Sequence, residues 1–248
     1  MALATDKQQM LEKIFNIYEK KLEKELSLVS ISELLEKMDD NSYYFPYNIW
    51  KKYFDRNVFE LGKQISWFAY RQAEKTSNIN QFEVLKEVIE KSSSNIKKVD
   101  KAYFVVGQVC RNTKSKKIFE YLMDKISVEN EEHKLTILIS IEDCHKPIDY
   151  NLEPIFELLR NGKMEMKTNA ALALNHSMNP LTEEILIDSF VTEKNKHLQE
   201  MIASTLGDIG TEKSLPILKD KLKTAKGVDF KYFLNQAIED IEKRRIIN

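Results

Sequence analysis

Apolar positions in the last two-thirds of the chain return in register. Val105, Ile137, Ala170, Ile202 and Leu234 form one column, and Val109, Ile141, Leu174, Leu206 and Ile238 a second, with successive spacings of 32, 33, 32 and 32 residues in both. Within each unit the apolar residues recur at three and four, as in Ile118, Phe119, Leu122, Met123 and Ile126. That spacing lays one broad apolar stripe along a helix and excludes a strand. The period therefore predicts helical hairpins, with first helices at 82–91, 116–126, 152–159, 183–190 and 215–223. The second helices are predicted at 101–110, 133–143, 166–175, 198–209 and 230–244. A hairpin of this size cannot bury its own stripe, so neighbouring hairpins are expected to stack and share a core. The expected fold is all-α, a right-handed α-α superhelix of six to seven hairpins.

Turn and cap residues fall where this segmentation needs them. Pro46, Pro147, Pro154, Pro180 and Pro216 stand before predicted helices or in their first turns, where a missing N–H costs nothing. Gly162, Gly210 and Gly227 follow helix ends and are expected to close them in the left-handed conformation. Asp100, Asn130 and Asp229 are candidate N-caps, and Ser30 with Glu33 forms a candidate capping box.

The clearest unit is the one around Ile202 and Leu206. Thr205-Leu206-Gly207-Asp208-Ile209-Gly210, preceded by Ile202-Ala203 and followed by Leu215-Pro216, resembles the HEAT-like repeat of bilin-lyase-type and related bacterial proteins. The preceding unit keeps Ala170-Ala171 and Ala173-Leu174 but has Asn175 where that family favours glycine. The units around Val105 and Ile137 keep apolar character alone. The resemblance implies a HEAT-like solenoid over 81–248 and a habit of binding; such repeats serve many unrelated roles.

Residues 1–80 depart from the period. Helices are predicted at 6–26, 32–38 and 57–75, an irregular cap continuous with the repeats. Between them Tyr43, Tyr44, Phe45, Tyr47, Trp50, Tyr53 and Phe54 crowd into twelve positions, either filling the junction between cap and repeats or adding to a partner surface.

Composition changes this picture little. With 38 basic and 39 acidic residues, no global field draws the chain to nucleic acid or an anionic membrane. No leader and no run of 18 apolar residues is seen, so a cytoplasmic protein without a membrane segment is expected. Cys110 and Cys144 stand near the ends of second helices and read as buried free thiols. Charge is uneven locally: 91–125 holds nine basic and three acidic residues, and 126–160 eight acidic and three basic. The first stretch is a candidate ridge for phosphate or an acidic partner.

Solenoids bind along the concave side that their second helices line. Setting aside the apolar columns leaves Lys134, Lys167 and Gln199 in one register, Gln108, Ser140 and Thr205 in another, and Arg111, Asp143, His176 and Asp208 in a third. These ten are the candidate partner contacts. Catalytic chemistry finds little to hold. His133, His145, His176 and His197 occur singly, with no zinc-type spacing, no glycine-rich phosphate loop and no nucleophile elbow. His145 and His176, at equivalent helix ends, are the one conceivable metal pair. No catalytic residue, metal or cofactor is assigned. The expected role is a non-catalytic scaffold for a protein partner. The alternatives are a nucleic-acid binder using 91–125, or an enzyme resembling the alkylpurine DNA glycosylases in architecture alone.

Overall fold

The computed structural model describes residues 2–43 and 64–247. Tyr44, Phe45, Pro46, Tyr47, Trp50, Tyr53 and Phe54, and the first residues of the helix expected at 57–75, lie outside the described residues. The chain divides into two compact units, Met1–Val105 and Val106–Asn248. The division falls inside one helix.

The first unit contains α1 (Ala2–Leu26), α2 (Ile31–Lys37), α3 (Ile65–Glu74), α4 (Gln81–Lys91) and the beginning of α5 (Ile96–Thr113). Ser30 caps α2 as the capping-box residues predict, its hydroxyl accepting the Glu33 N–H at 3.2 Å. Leu22 and Leu26 of α1, Leu34 and Leu35 of α2, Phe68 and Ala69 of α3 and Leu85 of α4 are buried. Lys101 is buried and its ammonium pairs with Asp39.

The second unit continues with α6 (Lys116–Val128), α7 (Glu131–Ile141), α8 (Glu153–Asn161), α9 (Met164–Leu172), α10 (Pro180–Thr192), α11 (Lys196–Ile209), α12 (Leu215–Thr224) and α13 (Val228–Ile247). Among the described residues there is no β-strand, only isolated bridges at Tyr43–Gln64 and Lys146–Ser177. All ten expected helices of 81–248 are present. In the second unit the two helices of each hairpin pack together: α6 on α7, α8 on α9, α10 on α11 and α12 on α13. Like also packs on like, α6–α8–α10 for the first helices and α7–α9–α11–α13 for the second. Both apolar columns are buried: nine of the ten residues are 0% exposed and Ile238 is 7%. Each large member contributes about 1.5–3 kcal/mol of burial free energy. At Gly207 the backbones of α11 and α13 approach so closely that an added Cβ would lie 3.0 Å from the Ala237 Cα. That is why small residues recur in this seam.

Several local expectations are corrected. Asp100 is not a cap: α5 starts at Ile96, with the Asn95 side chain accepting the Lys98 N–H at 3.1 Å. Asp229 lies inside the first turn of α13. Asn130 does cap α7, and Asn179 and Asn195 cap α10 and α11. Of the three helix-ending glycines, only Gly227 (φ 94°) is left-handed; Gly162 (φ −69°) and Gly210 (φ −64°) are extended. A Cβ at Gly162 would meet the Leu158 carbonyl oxygen at 2.5 Å, so closeness rather than backbone sign selects glycine there. Lys114 (φ 52°) and His176 (φ 59°) instead take the left-handed turn after α5 and α9.

Candidate functional site

The ten candidate contacts separate into buried and open positions. Gln108, Ser140, Gln199 and Thr205 are buried, at 6%, 4%, 4% and 0% exposure, and a partner does not reach them. Backbone carbonyls explain the inward turn of three of them. Thr205 donates to Ala171 O at 2.9 Å in the preceding repeat, and Ser140 to Thr136 O at 2.7 Å. The Gln199 amide donates to Phe190 O (3.1 Å) and Glu193 O (2.9 Å), satisfying carbonyls at the end of α10 that have no helical partner.

The third register joins neighbouring repeats. Arg111 Nη1 lies 3.4 Å from Asp143, 32 residues on. Asp208 accepts the backbone N–H of His176 at 2.6 Å, also 32 residues apart, and stands 3.2 Å from its Nδ1. That carboxylate holds a left-handed histidine in place. Between these pairs, Asn175 donates to Glu142 at 3.4 Å.

Sequence reasoning did not single out the centre of this edge, Lys146. It is 0% exposed, and its ammonium donates to three carbonyls: Cys144 O and Asn175 O at 2.7 Å and Glu142 O at 3.1 Å. Three acceptors match the three N–H bonds of an ammonium. Burial pulls its pKa down to about 8, against the nearby Cys144, Cys110, Asp208 and Asp143, which favour the charge. Lys146 also pairs as backbone with the next repeat, its N–H to His176 O at 3.2 Å and its carbonyl from Met178 N at 2.8 Å. This edge is closed.

The opposite ends of the second helices are open. Lys134 and Lys167 are each the fourth residue of their helices, α7 and α9, and are 33 residues apart. Each lines a groove, of about 410 Å³ at Lys134 and about 370 Å³ at Lys167. The grooves are equivalent: Ile126 and Ser127 in the first answer to Leu159 and Arg160 in the second, again 33 residues on. Leu158 completes the first apolar floor, and Ile185 and Leu198 the second. Carboxylates on the rims are mostly engaged. Arg160 bonds Glu153 at 2.8 Å and Glu157 at 3.3 Å. Glu193 accepts the backbone N–H groups of Lys194 and Asn195, both at 2.7 Å. The Asn195 N–H above all, then that of Lys194 and the Lys167 charge, hold Glu193 below the usual carboxylate range against the opposing effect of burial. Among the described residues no carboxylate lies within 4.0 Å of the Lys134 or Lys167 ammonium.

Of the nine basic residues in the stretch 91–125, five pair with carboxylates outside it. Lys91 pairs with Glu87, Lys101 with Asp39, Arg111 with Asp143, Lys116 with Asp149 and Lys125 with Glu129. Among the described residues no three His, Cys, Asp or Glu side chains converge as a metal site requires, and His145 is exposed. Among them, too, no helix is long and apolar enough to cross a membrane. Compared with known proteins, the chain matches no family model, no curated protein and no solved structure. The likeness to HEAT-like repeats thus rests on the residues around 198–218 and on the period.

Proposed function

We propose that the chain is a helical-repeat scaffold of the HEAT-like type, whose repeats take a protein partner along the paired grooves at Lys134 and Lys167. One observation carries the reading: two equivalent grooves, one repeat apart, each present an ammonium with no carboxylate within 4.0 Å among the described residues, above an apolar floor. Neighbouring helices pack about 8–10 Å apart. A polyproline-II segment rises about 3.1 Å per residue with three residues per turn, so its residues i and i+3 share a face about 9 Å apart. The partner this fits is an extended segment carrying carboxylates at i and i+3 with apolar residues between them.

Selection of displayed random peptides on the purified chain tests this. The selected sequences should share acidic residues three apart, and Lys134→Glu with Lys167→Glu should weaken the best of them at least tenfold. The melting temperature should move by less than about 2 °C, as for surface substitutions. Peptides that bind equally well to the doubly reversed chain would refute the groove assignment.

A further inference from the structure

Away from those grooves, beside Lys146, lie the two cysteines, both free and buried. Cys110 is in the last turn of α5 and Cys144 in the turn that follows α7. The backbones come together just before them. A Cβ at Gly107 would strike the Ser140 side chain and stand 2.7 Å from the Ser140 carbonyl oxygen. Gly107 precedes Cys110 by one helical turn, and Ser140 precedes Cys144 by one. The Cys144 sulfur lies 3.7 Å from Gly107 O and 3.9 Å from Ser140 O, and the Cys110 sulfur 3.8 Å from Ser115 O, so Cys144 reaches the backbone of α5 one turn before Cys110. The Lys146 ammonium donates to Cys144's own carbonyl at 2.7 Å, which fixes a positive charge beside this pair.

We propose that Cys110 and Cys144 are a peroxide-reactive dithiol that closes reversibly into a disulfide across the α5–α7 seam. Cys144 is the attacking sulfur. The Lys146 ammonium, held 2.7 Å from the carbonyl oxygen of Cys144 itself, favours a thiolate there. Having given its proton to water, the Cys144 thiolate attacks one oxygen of hydrogen peroxide. The O–O bond breaks, the departing hydroxide takes up a proton, and Cys144 is left as a sulfenic acid. The Cys110 sulfur then attacks the Cys144 sulfur, its proton leaving with the sulfenic oxygen as water. Two thiols and one peroxide give one disulfide and two waters. Burial of both sulfurs selects a small oxidant: peroxide approaches the size of water, whereas a bulky disulfide needs the seam to open.

The test uses the full chain in native buffer with hydrogen peroxide. The expected product has lost two hydrogens by mass and both free thiols, and its tryptic map joins the peptides of Cys110 and Cys144; dithiothreitol restores the starting protein. Closing a loop of this length should raise the melting temperature by roughly 5–15 °C. Cys110→Ser should stop at a sulfenic acid that dimedone traps on Cys144, and Cys144→Ser should slow oxidation of Cys110 at least tenfold. An aromatic disulfide of the Ellman type should react with the folded chain far more slowly than peroxide does. If folded protein keeps both thiols at a peroxide concentration that oxidises the urea-unfolded chain, or gains oxygen without the cross-link, the proposal is wrong. The wild-type result decides the matter even if a serine variant does not fold. Neither outcome bears on the grooves.

Discussion

The second helices of the 106–248 unit begin and end differently, and the same residue type shows it. At their N-terminal ends Lys134 and Lys167 stand half-exposed in grooves, without a carboxylate in ion-pairing range among the described residues. Past the C-terminal end of α7, Lys146 is fully buried with every N–H bond aimed at a carbonyl. What distinguishes them is backbone geometry. Helix C-termini and the turns after them present carbonyls without helical partners, and where two repeats bring such carbonyls together an ammonium can satisfy them all. Helix N-termini present N–H groups instead, taken up by side chains such as Asn130 and Asn195, and offer a nearby ammonium no carbonyl to bind. One edge is therefore sealed by structure and the other open to binding.

The largest effect should come from unsealing the closed edge. Lys146→Met leaves three buried carbonyls without their donor and should cost about 3–5 kcal/mol, read as a lower urea midpoint by circular dichroism. The same lysine has a pH signature. Its folded pKa, about 8, is below the unfolded value near 10.4, so between these the unfolded chain binds the proton that the folded chain has lost. Stability attributable to Lys146 should then rise with pH from about 8 to 10.5, at up to about 1.4 kcal/mol per unit. Wild type should gain on Lys146→Met over that window, and a flat difference would show that its pKa is not depressed.

A buried carboxylate makes a second seal of the same kind. Glu183 accepts the Thr211 N–H at 2.7 Å and the Ser214 hydroxyl at 2.6 Å, tying α10 to the turn before α12. Glu183→Ala should cost about 2–3 kcal/mol in the same urea assay. Next, Gly107→Ala forces a methyl into Ser140 and should cost about 1–3 kcal/mol. The smallest effect belongs to the open edge: Lys134→Glu and Lys167→Glu should each change stability by less than about 0.5 kcal/mol. If either cost as much as Lys146→Met, the contrast between the two edges would fail.

Much of this was legible in the residues. The apolar columns predicted the second helices and the three-and-four spacing the first, because both patterns mark the faces that packing buries. The polar positions were read less well. Gln199 shares a register with Lys134 and Lys167, yet its amide turned inward to the α10 carbonyls. Thr205 and Ser140 did likewise, since a hydroxyl can satisfy a helix carbonyl and pack as an apolar residue. Lys146 gave no local signal at all: one of its three acceptors, Asn175 O, lies 29 residues downstream, and only the fold brings it near. The asparagine caps at 95, 179 and 195 were within reach of sequence rules, since each precedes a helix start by one residue.

Reductive methylation of the native chain, followed residue by residue with and without a selected diacidic peptide, tests the two-edge account most directly. Lys134 and Lys167 should react at the rate of free lysine and be protected together by the peptide, while Lys146 should react only as fast as the unit unfolds. Methylation of Lys146 as fast as Lys134, or a bound peptide that leaves Lys134 and Lys167 fully reactive, would contradict it.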